Sequence, residues 1–450
     1  MDYLDTLSQF ASGLDYANLA SEVQDQVGWV LADTVAAMAA GSAEPELRAL
    51  ATRQVAVSRS AAQLVGLGQQ STPEAAAFIN GTSGTFLEMD EGNRFSRGHP
   101  AVHVIPAALA LSQERQANAT DFLAAVVVGY EVGSRLGAAS QLRGAMHPHG
   151  TWGTLGAAAA CARIARMDEV AMRQTINIAA SLTTATSKQT MLEGGLVRNV
   201  YAGLSNRNGL LALNLAECGF TGEHDGPRSL LGKIISETFE PDAVVEGLGQ
   251  DWHLMRNYFK LHSCCRYNHG TLDAIDQMNA AEKLPPVEDI ERIEVQTYHL
   301  AAELNDPAPQ NTLAAKFSVP FAVATRLINH SSALSSFTWE AVRNPRILAL
   351  AQKVSVSHDP AMSARLPMER PAKVTLYLKN GQTRTGQAGV NRGDDASPYT
   401  RQELRDKFMN LTGRIWPTDH CEELLQATLD LAHLKISLEA WTQRLAHPAQ

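Results

Sequence analysis

Cysteine is scarce in this chain and odd in number: Cys161, Cys218, Cys264, Cys265 and Cys421 are the five among 450 residues. So few thiols in so long a chain do not make a disulfide framework, and they point to a reducing compartment. Aromatic residues supply only 6% of the sequence while alanine is abundant, which favours closely packed helices over a β-sandwich. Positive charge is short as well. Lys and Arg number 38 against 47 acidic residues, a formal net charge of -9, so the basic surface of a nucleic-acid binder is missing. The most apolar stretch, Phe122 to Val132, begins after Asp121 and is interrupted by Glu131, far short of a membrane span. The opening Met1-Asp2-Tyr3-Leu4-Asp5 carries early acids and does not read as a signal or transit peptide. These absences predict a cytoplasmic globular protein with no nucleic-acid and no membrane partner. With 45% hydrophobic residues, the chain has ample material for two or three domains.

Several chemical motifs are also missing. There is no Gly-x-Gly-x-x-Gly, no P-loop, no Gly-x-Ser-x-Gly elbow and no His-Glu-x-x-His, so nucleotide cofactors, an elbow serine and that zinc motif lack support.

What is present is helical periodicity. Val23, Val27, Val30, Leu31, Val35 and Met38 recur at spacings of three and four and end near Gly41. Thr72-Pro73-Glu74 reads as a helix start, with threonine as cap and proline at the first helical position. Ala-rich stretches at 101–112, 121–139, 153–165, 169–183 and 205–217 read likewise, and Gly156-Ala157-Ala158-Ala159-Ala160 has no bulk, so it suits close helix approach. After residue 280 the period changes to two, at Ile293-Val295-Thr297, Val354-Val356 and Val374-Leu376-Leu378, the last running into the hairpin signal Asn380-Gly381. Helical stretches at 316–329 and 339–352 lie between the strands. Thr400-x-x-Glu403 reads as a capping box that returns the chain to helix. The expected fold is mainly α: a large all-helical domain over 1–268 and 396–450, and a smaller α+β lid domain over 269–395.

Polar groups concentrate in four stretches: Glu88-Met89-Asp90-Glu91 through His99, Met146-His147-Pro148-His149, Gly194 to Asn199 with its Arg198, and Lys260 to Gly270. Taken singly, each has a bland reading as a helix end, a turn or a packing residue. His262, Cys264, Cys265 and His269 are zinc-ligand types, but adjacent cysteines do not easily fill two vertices of one site. Acid–base chemistry remains, with histidines to move protons and Lys and Arg to hold anions.

In order and spacing these strings resemble the MmgE/PrpD family. The resemblance runs through Leu31-Ala32-Asp33-Thr34-Val35, Gly98-His99-Pro100, His147-Pro148, Gly153-x-x-Gly156-Ala157 and Arg207-Asn208-Gly209. It continues in Gly219-Phe220-Thr221-Gly222, Lys260 to His269 and Ala315-Lys316-Phe317-Ser318-Val319-Pro320-Phe321. It implies a helical domain joined to a smaller α+β domain, a homodimer, no metal or organic cofactor, and a small carboxylate substrate bound between the domains. It further implies His147 or His269 as base and acid with His99 in support, and Arg198 and Lys260 as carboxylate clamps. Arg266 joins the substrate-binding set, as do Glu88 and Asp90 in the acidic stretch. Three positions depart from the family pattern: Arg198 stands for a lysine, Ala202 for a histidine and Phe321 for a tyrosine. The implied activity is a lyase that works by proton abstraction next to a carboxylate, foremost a 2-methylcitrate dehydratase-like dehydratase. The alternatives are an iminodisuccinate epimerase-like isomerase, a cis-aconitate decarboxylase-like enzyme, and a non-catalytic carboxylate-binding paralogue.

Overall fold

In the computed structural model, residues 2–54 and 62–446 are described. Their buried apolar side chains fall into two clusters. The larger is built by the helices Ser21–Ser42, Pro73–Phe86, Pro100–Glu114, Ala119–Ala138, Trp152–Ile164 and Val200–Glu217, which match the periodic stretches of the sequence. Helices Ala119–Ala138 and Trp152–Ile164 touch almost backbone to backbone. A Cβ on Gly156 would lie 2.6 Å from the Gly129 carbonyl oxygen, and one on Gly129 would lie 2.7 Å from that of Gly156. The Gly156–Ala160 run is thus a close-approach surface.

The C-terminal helices return to this layer. Helix Arg401–Thr412 opens on the capping box, where Thr400 Oγ1 accepts from Glu403 N and the Glu403 carboxylate accepts from Thr400 N. Lys407 on that helix pairs with Asp33 on Ser21–Ser42.

The second cluster surrounds a four-stranded sheet in the order Thr383–Ala388, Ala372–Leu378, Ile290–Thr297, Val354–His358. The first two pairings are antiparallel and the last is parallel. Ile293, Val295, Val374 and Leu376 are fully buried in that cluster with Leu272 and Ile275 of the helix His269–Ala281. The parallel pair needs a crossover, which the helices between residues 299 and 351 supply.

Two expectations require correction. The helical stretch 316–329 is broken: Thr312–Lys316 ends, and Val319–Asn329 restarts on the Ser318 side chain with Pro320 in its first turn. The stretch 339–352 breaks likewise, because Pro345 stops one helix and starts another under an Asn344 cap. The helical part carries short ribbons beside its helices. Short ribbons pair Ala62–Leu64 with Gln69–Ser71, Gly92–Asn93 with Asn257–Tyr258, and Ser140–Leu142 with Ser236–Phe239; at this length they carry no readable period. No described helix is long and apolar enough to cross a membrane.

The Gly129 contact predicts a mutational asymmetry. Gly129→Ala drives a methyl into Val104, the Gly156 carbonyl and Ala160 and should destabilise by ~2 kcal/mol. Gly13→Ala, with nothing within 4 Å, should be neutral or slightly stabilising. Urea unfolding followed by circular dichroism measures both.

Candidate active site

A cavity of about 160 Å³ opens between the two clusters. Its helical-side wall carries Glu88, His99, His147, His149 and Arg198; the opposite wall carries Tyr258, Cys265, Arg266, Tyr267, Phe317 and Arg370.

Glu88 follows the C-cap of the Pro73–Phe86 helix in the left-handed region, with φ 55°, a conformation that non-glycine residues hold only when their surroundings over-determine it. Those surroundings are cationic. Arg198 Nη1 donates to Glu88 Oε1, and Lys260 Nζ lies 3.2 Å from the Glu88 carbonyl and 3.4 Å from Oε2. Burial works to raise the Glu88 pKa, but Arg198 and Lys260 outweigh it and hold the carboxyl below the ordinary value. Asp90 is likewise lowered, with His99 and Lys260 overcoming burial.

His99 precedes Pro100 at the head of the next helix. Its Nδ1 donates to the Glu91 carbonyl at 2.7 Å and lies 2.9 Å from Asp90 Oδ2. The Asp90 contact is electrostatic, since neither Asp90 oxygen has an aligned hydrogen-bond partner. With the proton on Nδ1, Nε2 carries the lone pair.

His147 meets an N–H donor at each ring nitrogen. His149 N donates to its Nδ1 at 3.1 Å, and Arg198 Nε points at its Nε2 at 3.4 Å. Burial, then Arg198, push the His147 pKa well below its usual value. The ring is therefore neutral at neutral pH.

The structure does not bring every expected residue to the cavity. His269 lies behind the wall with both nitrogens engaged: Nδ1 accepts from Arg266 Nη1 at 2.8 Å and Nε2 donates to the Cys264 carbonyl at 3.2 Å. In that place it holds Arg266 rather than reaching a substrate. Lys260 is also behind the wall, fully buried under Glu88 and Asp90. Phe321 does not line the cavity; it is buried in the second cluster, 6.1 Å from the Phe337 ring. Ala202 is buried within its helix, with its carbonyl accepting from Asn206.

Other residues reach the site without having been singled out as site residues. His149 packs edge-on against His99, His103 and His147, with ring centres 4.6 to 4.9 Å apart. Burial, with Arg198 second, pushes the His149 pKa well below its usual value, and His103 falls to about 4 by burial first. His149 stood in plain view beside His147 and Tyr267 within the Lys260 to Gly270 stretch, whereas Arg370 belongs to no motif.

The zinc arrangement weighed above does not form. Among the described residues the convergent ligand set is His262, Asp273 and Asp276. Its members are occupied: His262 by Ser332, Asp276 by Arg326 and Asp273 by the Arg392 N–H. Cys265 lines the cavity, but burial raises its pKa to about 11, so it is a thiol.

Comparison with known proteins agrees with this architecture. The family model for the MmgE/PrpD N-terminal domain matches residues 5–227, and that for the MmgE/PrpD C-terminal domain matches residues 262–431. The chain is 24% identical over 460 aligned residues to a cis-aconitate decarboxylase of Aspergillus terreus (strain NIH 2624 / FGSC A1156), covering 95% of this chain and 93% of that one. It is 26% identical over 390 residues to the cis-aconitate decarboxylase of Mus musculus, covering 81% and 76%. With the Homo sapiens cis-aconitate decarboxylase it shares 24% over 384 residues, covering 81% and 77%.

Glu91 turns away from the cavity into the core. Its Oε1 accepts from Ala101 N at 2.8 Å, and Oε2 lies 3.1 Å from the Tyr130 hydroxyl. Burial raises its pKa to about 8, so between its unfolded value and pH 8 the folded state binds more protons than the unfolded state. Stability from this group is present in acid and falls as pH rises through that window. Glu91→Gln keeps the shape without the titration. Its stability relative to wild type should increase from pH 5.5 to pH 8 in urea melts; an unchanged difference would reject the protonated Glu91.

Proposed function

Because the chain belongs to the MmgE/PrpD family, we propose that it is a lyase acting on a small di- or tricarboxylate by proton transfer at a carbon next to a carboxylate. Within that class we favour decarboxylation of a cis-aconitate-like tricarboxylate, a reading supported by the nearly end-to-end similarity to decarboxylases. The observation that carries the chemistry is His99. Its Nδ1 is fixed on the Glu91 carbonyl beside a buried, ionised Asp90, so Nε2 has one orientation and the charge of an imidazolium is balanced as it forms.

Loss of carbon dioxide leaves an electron pair delocalised onto a neighbouring carboxylate. His99 Nε2 takes up a proton from water on its lone pair and passes it to carbon, so the step consumes one solvent proton and returns the ring to its starting form. The positive field of Arg198, which lines the cavity beside His147, meets the negative charge that develops on oxygen.

A second reading, dehydration of a 2-methylcitrate-like hydroxy acid, is favoured by the lone pair on His99 Nε2. His99 takes the α-proton, and the departing hydroxyl takes its proton from water.

Proton NMR in heavy water with cis-aconitate, 2-methylcitrate, citrate and iminodisuccinate tests these readings. A new terminal-alkene signal with carbon dioxide release is expected from cis-aconitate. A new alkene with all carboxylates retained, formed from 2-methylcitrate or citrate, would replace decarboxylation by dehydration. Deuterium uptake without a change of skeleton would replace the lyase by an epimerase, and thermal stabilisation without turnover would leave only binding. His99→Asn should lower kcat by about 10³-fold with the fold retained. Near-wild-type turnover in that variant would reject the assignment.

A further inference from the structure

The buried cations in the cavity wall are neutralised by the protein itself, with one exception. Arg198 lies against Glu88, and Arg266 against Asp394 at 2.8 Å. Lys188 pairs with Glu303, while Arg97 and Arg143 are exposed to water. Arg370 is only 5% exposed, yet it has no carboxylate partner among the described residues. Asp394 is nearby, but it is already held by Arg266 and, at 3.7 Å, by Arg94. Arg370 Nη1 has no hydrogen-bond partner, and Nη2 reaches only the Arg94 carbonyl at 3.4 Å.

A buried guanidinium without an anion is costly, and native proteins retain one where something outside the chain completes it. Its setting preserves both the charge and the free donors. The guanidinium carbon lies 5.5 Å from the ring centre of Tyr258 and 5.7 Å from that of Tyr267. Those π faces stabilise the cation without consuming its N–H groups. The backbone is fixed too: Arg370 N donates to Gly389 O at 3.2 Å, and its carbonyl accepts from Asn391 at 3.1 Å. A Cβ on Gly270 would strike that carbonyl at 2.6 Å. Tyr258, which faces Arg370 on one side, packs edge-on to His99 with ring centres 6.2 Å apart.

We infer that Arg370 is the carboxylate anchor of the cavity, taking one substrate carboxylate fork to fork and setting the reacting carbon opposite His99, one aromatic ring away. Arg198 and Arg266, bound to the protein's own acids, shape the wall instead. The inference rests on the lyase reading only for the choice of a carboxylate substrate.

Calorimetry with tricarballylate, a saturated and unreactive tricarboxylate, separates binding from turnover, and cis-aconitate kinetics run beside it. Arg370→Met should weaken tricarballylate binding by about 100-fold. It should raise KM for cis-aconitate with a much smaller change in kcat, and Arg370→Lys should recover part of the loss. The unliganded unfolding temperature of the Met variant should not fall, because the variant loses an unpaired charge and breaks no ion pair. Wild-type affinity in the Met variant, or no binding of tricarballylate by wild type, overturns the anchor.

The two readings fail separately. Arg370-dependent binding without turnover of any acid keeps the anchor and removes the lyase. Turnover with an unchanged KM in Arg370→Met keeps the lyase and removes the anchor. Should the Met variant not fold, phenylglyoxal labelling of wild type decides: tricarballylate must slow modification of Arg370, and unprotected labelling rejects the inference.

Discussion

A buried ion cluster beneath the cavity ties distant parts of the chain to one short segment. Glu88-Met89-Asp90 is gripped by Arg198 from the helical side and by Lys260 from the segment that leads into the second cluster. Lys407 of the C-terminal helices donates to the Met89 carbonyl at 2.6 Å while pairing with Asp33. Ser263 Oγ holds the Leu87 carbonyl at 2.9 Å. Removing one partner of such a buried pair costs about 3–5 kcal/mol, so these segments move together or not at all. The left-handed Glu88 is tolerable because so many contacts determine it. The same grip places Asp90 and the Glu91 carbonyl under His99. Stability and the orientation of the His99 ring thus come from one arrangement.

Much of this architecture is legible in the sequence. The long helices announce themselves because one face is buried over several turns, and Thr72, Ser318 and Thr400 mark their starts as cap residues. The breaks at Phe317-Ser318 and Asn344-Pro345 are read less easily, since apolar residues continue across both and only the caps reveal the interruption. Ribbons of two or three residues leave no period at all. The site residues are harder for a different reason. His269 and Arg266 stand three apart in the sequence, yet one faces the cavity and the other supports it from behind. Residue type says which groups can bind a carboxylate; only the neighbours say which are already spent.

Arg370 shows that limit most sharply. In the sequence it sits in Met368-Glu369-Arg370-Pro371, next to an acid and outside every motif. In the fold, Glu369 pairs with Arg365 and Arg370 turns inward between two tyrosines. The more conspicuous Arg198 and Lys260 are consumed by Glu88 and Asp90. A lysine-to-arginine departure at 198 is therefore a change in the ion cluster of the cavity wall.

This division also explains why four clustered histidines need not compete for one role. His103, His147 and His149 are driven neutral by burial, with the positive field of Arg198 adding to it. As neutral rings they carry one N–H and one lone pair each, and His103 is oriented by donating Nδ1–H to the His99 carbonyl. His99 alone of the four has an ionised carboxylate against its ring, so it alone has a local countercharge for a second proton. Permanent charge in the cavity comes from guanidinium groups, which do not titrate in the working range. In the proposed reaction, holding the substrate and moving the proton then fall to different side chains, and the arginine at 198 removes no proton-transfer step from it.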